Sequence, residues 1–226
     1  MRRGILFVLS GASGVGKGSM LRSVLIQEGA KMHFSVSWTT RSPRPGEENS
    51  LDYFFKSREE FETELHDPNG GGFLEHAEFV GHLYGTPRRT VNEKLEAGID
   101  VMLDVERIGA LNVRKLMPEA VLVQVVPPSL SELRQRLLLR GTDALDVIEK
   151  RLKRAVEDIG FARQFDYVIV NSILNEARDK LTTVIHAERM HSSRTPQSWL
   201  DQAISKDPDL EIQLDRLEAE IRRNGH

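Results

Sequence analysis

Cysteine is absent from the 226 residues, which excludes a disulfide framework and any thiolate metal site. No apolar run near the start is long enough to span a bilayer, because Ile5 to Leu9 falls far short of the roughly 20 residues a membrane helix needs. No A-x-A-like cleavage site follows that run, so the expected location is the cytoplasm, with no membrane partner. An excess of one charge is also missing. Lysine plus arginine number 31 against 34 aspartate plus glutamate, and the formal net charge of −3 excludes binding by bulk charge. No aromatic and basic RNA motif accompanies the arginines, so no nucleic-acid partner is expected. With 39% hydrophobic and 29% charged residues, the chain has the composition of one large globular domain or of a core with inserted subdomains.

What is present is a repeated alternation. Ile5-Leu6-Phe7-Val8-Leu9 is a continuous apolar run bounded by small residues, the pattern of a strand buried on both faces. The segments 101–105, 121–126 and 167–170 are likewise short and rich in Val and Ile. Helical patterns fill the gaps over 18–28, 89–97, 130–139, 146–161 and 175–190. The alternation predicts an α/β fold, a parallel sheet with helices on both faces reached by right-handed crossovers. From Val36 to Gly98 the character changes, with Pro43, Pro45 and a Pro68-Asn69-Gly70-Gly71-Gly72 break, and an inserted subdomain is expected there. Arg134, Arg136, Arg140, Arg151 and Arg154 lie on or between two helices, as a basic helical lid requires. Beyond Ser192 a polar tail begins, in which Leu210, Leu214, Leu217 and Ile221 follow coiled-coil-like spacing. Barely two heptads make a marginal helix, so a solvated or weakly docked helix is favoured over a dimerising coiled coil.

Gly11-Ala12-Ser13-Gly14-Val15-Gly16-Lys17-Gly18-Ser19 follows the first strand directly and leads into a helical pattern, the context of a phosphate-binding loop. Glycines let successive N–H groups point at phosphates, the helix N-terminus adds partial positive charge, and Lys17 reaches the phosphate to be transferred. A glycine-rich turn without a ligand would leave Lys17 no purpose. In the pattern G-x-x-x-x-G-K-[ST], Gly18 stands where the hydroxyl belongs and Ser19 comes one position later, so the Mg²⁺ ligand stays open between them.

Within the insert, Arg41 and Arg44 sit in a Pro-stiffened, turn-prone stretch. Guanidinium forks bind phosphate oxygens in pairs, and prolines lower the entropy lost in fixing them. Alone, two loop arginines read as solvated surface charge; beside a phosphate loop they read as phosphate ligands. Tyr53, Glu75, His76, Glu78, Tyr84 and Thr86 add acidic, phenolic and hydroxyl groups. A carboxylate suits a base edge with adjacent N–H donors, as guanine has, so Glu75 favours guanine.

At this point the chain resembles the guanylate kinase family, in order, over roughly residues 5–190. The landmarks are Ser35 to Glu47, Asp52-Tyr53-Phe54-Phe55, Phe73-Leu74-Glu75, Tyr84-Gly85-Thr86, Leu103-Asp104-Val105-Glu106, Pro127-Pro128-Ser129-Leu130, Arg140-Gly141-Thr142 and Val168-Ile169-Val170-Asn171. The resemblance implies Mg²⁺-dependent phosphoryl transfer from ATP to GMP, and to dGMP, giving ADP and GDP. It implies a P-loop core over 1–36, 99–129 and 161–192, a GMP-binding insert over 37–98, a lid over 130–160 and a polar helical tail over 193–226. By position, Arg41, Arg44, Tyr53 and Tyr84 look like phosphate ligands of GMP, with Glu47 in support of the arginines. Ser37, Glu75, Thr86 and Asp104 look like guanine contacts, and Glu106 joins the GMP site where the family often has Asp, the two last acids also ordering water around Mg²⁺. Lys17 and the loop from Gly11 to Ser19 would hold ATP, with Asn171 near the adenine edge. Arg140 and Arg151 look like lid arginines that close over the transferring group, and with Lys17 and Arg41 they form the expected catalytic set. The chain departs from the pattern at Arg107-Ile108-Gly109, where an aromatic-Gln-Gly is expected, at His82-Leu83 before Tyr84, and at Ser172-Ile173 after Asn171.

Two other readings compete. A kinase-like interaction module would keep the fold and bind partner peptides, yet such a module has no reason to keep both Lys17 and the lid arginines. A kinase for another phosphorylated acceptor is opposed by Ser37, Glu75 and Thr86 together. The seven histidines show no ligand spacing with a second acid, so no metal besides Mg²⁺ is expected. The expected partners are ATP and GMP, on a monomer or a homodimer.

Overall fold

A computed structural model of the chain describes residues 2–68, 71–141, 143–205, 212–214 and 216–217. In the first half lie β1 (Leu6–Ser10), α1 (Lys17–Glu28), β2 (Met32–Phe34), β3 (Trp38–Thr39), β4 (Phe54–Phe55), α2 (Arg58–Leu65), β5 (Phe73–Phe79), β6 (His82–Pro87) and α3 (Arg88–Glu96). The second half holds β7 (Asp100–Asp104), α4 (Arg107–Leu116), β8 (Val121–Val126), α5 (Leu130–Arg140), α6 (Leu145–Gly160), β9 (Tyr167–Val170), α7 (Leu174–Arg189) and α8 (Gln197–Ile204). Contacts divide the chain after Arg189 into the unit Arg3–Arg189 and a second unit that includes residues from Met190 onward. Among its described residues the second holds a 3₁₀ turn at Ser192–Arg194, α8 and helical residues at 212–214 and 216–217. Of the expected heptad positions in the tail, Leu214 and Leu217 are helical, whereas Leu210 and Ile221 lie outside the described residues, as do Asn69, Gly70 and Thr142.

The expected α/β fold is present. A parallel sheet runs in the order β2-β7-β1-β8-β9, and its register pairs Leu6 with Val101 on one side and Phe7 with Val121 on the other. β1 and β8 are buried at every position, which is why they read as unbroken apolar runs. One face packs Phe7, Leu9 and Val123 against Met20, Leu133, Leu137, Ala155 and Leu181. The other packs Leu6, Val8 and Leu122 against Val91, Leu95, Ala110 and Val113. Because parallel strands share a direction, their carboxyl ends meet along one edge, where open α/β sheets bind ligands. At the opposite edge, buried Asp100 and Glu28 flank Arg189, whose Nε and Nη1 donate to them at 2.7 and 2.6 Å.

A smaller sheet, ordered β4-β3-β6-β5, fills the part of the chain expected as an insert. Its hairpin β5–β6 turns through Val80 and Gly81, both at positive φ, 51° and 75°. Valine is a poor residue for that conformation, so the turn carries no Asn-Gly type signal and sequence pattern alone misses the hairpin. Two helices, α2 and α4, also lie outside the expected helical segments. α2 buries only Phe61, but its Ser57 and Glu60 form a reciprocal capping box, a signal legible in the sequence. α4 buries only Ala110 and Val113 and depends on the sheet beneath it.

Candidate active site

The loop after β1 is built by conformations only glycine tolerates. Gly11 has φ 147°, and a Cβ there would lie 2.2 Å from the Val125 carbonyl oxygen. Gly16 has φ 92° and faces Asn171, whose Nδ2 would be 2.5 Å from a Cβ at that position. α1 then opens at Lys17 with no side-chain cap, leaving its first N–H groups for an anion. Lys17 Nζ folds back to donate to the Gly11 carbonyl oxygen at 2.5 Å and lies 3.8 Å from Asp104 at the end of β7. Burial pushes the Asp104 carboxyl above its ordinary value, and Lys17 opposes that shift. Asn171, buried at the end of β9, donates from Nδ2 to the Val15 carbonyl oxygen at 2.6 Å, so its amide holds the loop's shape.

On the insert, Glu47 acts as the anchor for both arginines. Its Oε1 accepts from Arg41 Nη2 at 2.9 Å and its Oε2 from the Arg44 backbone N–H at 2.7 Å. The Arg41 guanidinium, followed by the Arg44 amide, holds the Glu47 carboxyl below its ordinary value. Arg41 also sits 5.5 Å from the Tyr53 ring centroid, and Tyr53 meets Tyr84 edge to face at 5.9 Å. Burial, then Tyr84, pushes the Tyr53 hydroxyl up, with Arg41 opposing and Asp104 adding to the rise. Among the described residues the Arg44 guanidinium takes no hydrogen bond or ion pair, and the same holds for exposed Arg140 at the end of α5.

Ser37, Thr86 and Glu75 form a chain of side chains from β3's approach across β6 to β5. Thr86 Oγ1 donates to Glu75 Oε1 at 2.8 Å, and Ser37 Oγ lies 3.3 Å from Thr86 Oγ1. Burial raises the Glu75 carboxyl, against the hydrogen bonds from Thr86, and the Glu106 charge raises it further. Gly109 at the start of α4 approaches so closely that a Cβ there would be 3.2 Å from Glu75 Oε2. Thus the core and the small sheet meet at this carboxylate. Glu106 itself is turned outward, its Oε2 accepting from Arg154 Nη2 at 2.5 Å.

Of the expected lid arginines, Arg151 reaches the loop. Its Nη1 donates to Ser13 Oγ at 2.6 Å and its Nη2 to Asp143 Oδ1 at 3.0 Å. Arg136 Nη2 donates to the Asn171 carbonyl oxygen at 2.9 Å, tying α5 to the end of β9. Arg136, Asp143, Arg154 and Asp158 carry no individual site role in the sequence pattern. The spacing of 151, 154 and 158 along α6 was the available signal for the stripe to which two of them belong. The oxygen donors on or beside the loop are the Ser19 hydroxyl and the Asp104 carboxylate, whereas a Cβ at Gly18 would meet nothing within 4 Å. Among the described residues no cluster of three or more metal-ligating side chains forms. Few, hard donors fit Mg²⁺, which keeps several waters and relies on substrate phosphates.

A phosphate loop at the carboxyl edge of a parallel sheet, a carboxylate beside its lysine and an arginine reaching the loop from α6 define a P-loop nucleotide phosphotransferase. The comparisons with known proteins are more specific. Residues 3–188 match the family model described as guanylate kinase. A guanylate kinase from Thermus thermophilus is 48% identical over 215 residues, covering 95% of each chain. One from Streptococcus pneumoniae is 48% identical over 186 residues, 82% of this chain and 88% of that one. The crystal structure of guanylate kinase from Anaplasma phagocytophilum superposes with a TM-score of 0.71 at 30% identity, covering 91% of this chain and 98% of that one. The chain belongs to the guanylate kinase family, and its activity is phosphoryl transfer from ATP to GMP.

Proposed function

We propose that this transfer is run by Lys17, Arg41, Arg140 and Arg151 around a guanine pocket made by Ser37, Thr86 and Glu75. The observation that carries the reading is the hydrogen-bonded chain ending on Glu75, which offers acceptors to a base edge with two adjacent N–H donors. Arg41 and Arg44 aim the GMP phosphate, Glu47 holding their geometry while Tyr53 and Tyr84 close the far wall. Lys17 and the loop amides from Gly11 to Ser19 hold the ATP phosphates, and Asn171 keeps the loop shaped for them. Mg²⁺ arriving with ATP would be held by the Ser19 hydroxyl with Asp104 and Glu106 in support, and it would supply charge neutralisation. No general base is required, because the acceptor is a phosphate oxygen already ionised at neutral pH. Positioning and charge neutralisation therefore carry the rate.

The division into core, the 37–98 insert and the 130–160 lid is part of the same reading: lid and insert close to exclude water that would otherwise hydrolyse ATP. Acceptance of dGMP fits a pocket that reads the base, and the cytoplasm is the compartment proposed, where ATP and GMP are the partners. Among the described residues no helix is long and apolar enough to cross a membrane. The test is a coupled ADP-release assay with Mg-ATP and GMP, dGMP, AMP, CMP or UMP, run beside Lys17→Ala and Arg140→Ala. Turnover with GMP over AMP, abolished in Lys17→Ala, is expected. Loss of a transition-state arginine in phosphoryl transfer costs about 10³-fold or more in kcat. An Arg140→Ala kcat close to that of the unaltered chain would remove Arg140 from the catalytic set.

A further inference from the structure

α6 carries three charged side chains on one stripe. Arg151, Arg154 and Asp158 follow i, i+3, i+7 spacing, which places them on one helix face over about 10 Å. Each engages a different element. Arg151 Nη1 donates to Ser13 Oγ in the phosphate loop at 2.6 Å. One turn further, Arg154 Nη2 donates to Glu106 Oε2 at 2.5 Å. At the far end Asp158 Oδ1 accepts from Arg107 Nε at 3.0 Å. Glu106 and Arg107 are the N-cap and first residue of α4, directly after Asp104 and Val105. The stripe thus joins the phosphate loop to the segment carrying the acceptor-side carboxylates.

Its two ends are built differently. Buried Gln124 in β8 donates from Nε2 to the Asp158 carbonyl oxygen at 2.6 Å, and the Arg107 guanidinium stacks 4.1 Å over the Phe161 ring. The Arg107–Asp158 pair is mostly buried, with side chains 18% and 14% exposed, whereas Arg154 and Glu106 are 51% and 75% exposed. The helix is thus pinned to the sheet and to α4 at one end, and clasped to α4 again by an open ion pair. Arg107 is also where the chain departs from the expected aromatic-Gln-Gly, so the pin is made from a residue at which this sequence leaves the pattern.

We infer that Arg154 and Asp158 are positioning residues that couple the two nucleotide sites. GMP orders the Asp104–Arg107 segment, α6 is ordered with it, and Arg151 is preset over the loop, so GMP tightens the binding of ATP. By linkage ATP tightens GMP by the same factor. The inference rests on the proposed assignment of the loop to ATP and of the Asp104–Glu106 segment to GMP.

Isothermal titration of the full chain with Mg²⁺ and a β,γ-imido ATP analogue, with and without saturating GMP, measures the coupling factor directly. Coupling in the unaltered chain is expected in the common range of about 5- to 150-fold. Arg154→Gln lowers the factor by about two- to five-fold, as an exposed ion pair implies, while each nucleotide alone binds as before. Arg154→Lys restores part of it, and Asp158→Asn loses more because its pair is buried. A residue with a merely structural role would lower the melting temperature and leave the ratio alone. An unchanged factor in Arg154→Gln or Asp158→Asn, or a factor of one in the unaltered chain, overturns the inference. Failure of the underlying assignment looks different: GMP and the analogue would exclude each other on the unaltered chain.

Discussion

Glutamine in place of Glu75 keeps the side chain's size and removes its charge, which isolates base reading from packing. In the structure Glu75 Oε1 is taken by Thr86 Oγ1 at 2.8 Å, and the start of α4 crowds Oε2 through Gly109. The carboxylate offers lone pairs to both guanine N–H donors, whereas an amide turns one of them against its own NH₂ group. One charge-assisted hydrogen bond lost is worth about 1.5–3 kcal/mol, or about 10- to 150-fold in affinity. The contact is made in ground and transition state alike, so KM for GMP rises while kcat holds. A pH signature follows from the raised carboxyl, which burial sets and the Thr86 hydrogen bonds oppose. Only the ionised form offers acceptors to both guanine N–H donors at once, so kcat/KM for GMP falls as pH drops through a value above the ordinary 4.5 of a glutamate. Glu75→Gln lacks that contribution and keeps those of the other groups, the GMP phosphate near pH 6 among them, taking about 6 as a phosphate monoester's second pKa. Initial rates of ADP release with GMP and with IMP, which lacks the 2-amino group, across the acid range would read all of this. A variant with unchanged KM for GMP and an unchanged preference for GMP over IMP would refute the reasoning.

Further predictions concern stability and the loop. Gly16→Ala forces a Cβ into a φ of 92° and to 2.5 Å from Asn171 Nδ2. The strain and the displaced Asn171–Val15 bond cost about 2–4 kcal/mol together, seen as a fall in melting temperature of about 5–15 °C and a raised KM for ATP. Gly18→Ala, with nothing within 4 Å of its Cβ inside α1, is expected to leave melting unchanged or raise it by a few degrees. Arg189→Leu takes the guanidinium away from two buried carboxylates, Glu28 and Asp100, and should cost about 3–5 kcal/mol by denaturant unfolding. Burial pushes Glu28 up, but hydrogen bonds from Arg189 and His186 outweigh it and leave the carboxyl below its ordinary 4.5. A depressed carboxyl contributes stability above 4.5 that is lost as pH falls through the folded value, so Glu28→Gln should flatten the acid limb of unfolding.

The phosphate loop was legible because everything it needs lies within nine contiguous residues: glycines for the turn, Lys17 for charge and a helix start behind them. The central strands were legible because burial on both faces leaves an unbroken apolar run, whereas Glu47 beside Arg41 was implied by the family resemblance alone, and the structure pairs the two. The small sheet was not, since its strands are short, its hairpin turns at Val80, and its helix α2 shows itself only through a cap. Nor could the local pattern show that Glu106 turns to Arg154, or that the Asn171 amide is spent on the loop. Ser37 and Thr86 are 49 residues apart, Ser13 and Arg151 138, and Val15 and Asn171 156. Local propensity and burial are written residue by residue, and they determined the elements and the loop. Which side chains meet depends on the order in which strands lie in the sheet and on which helix face packs down, so the Ser37–Thr86–Glu75 chain and the α6 stripe were decided by the tertiary structure alone.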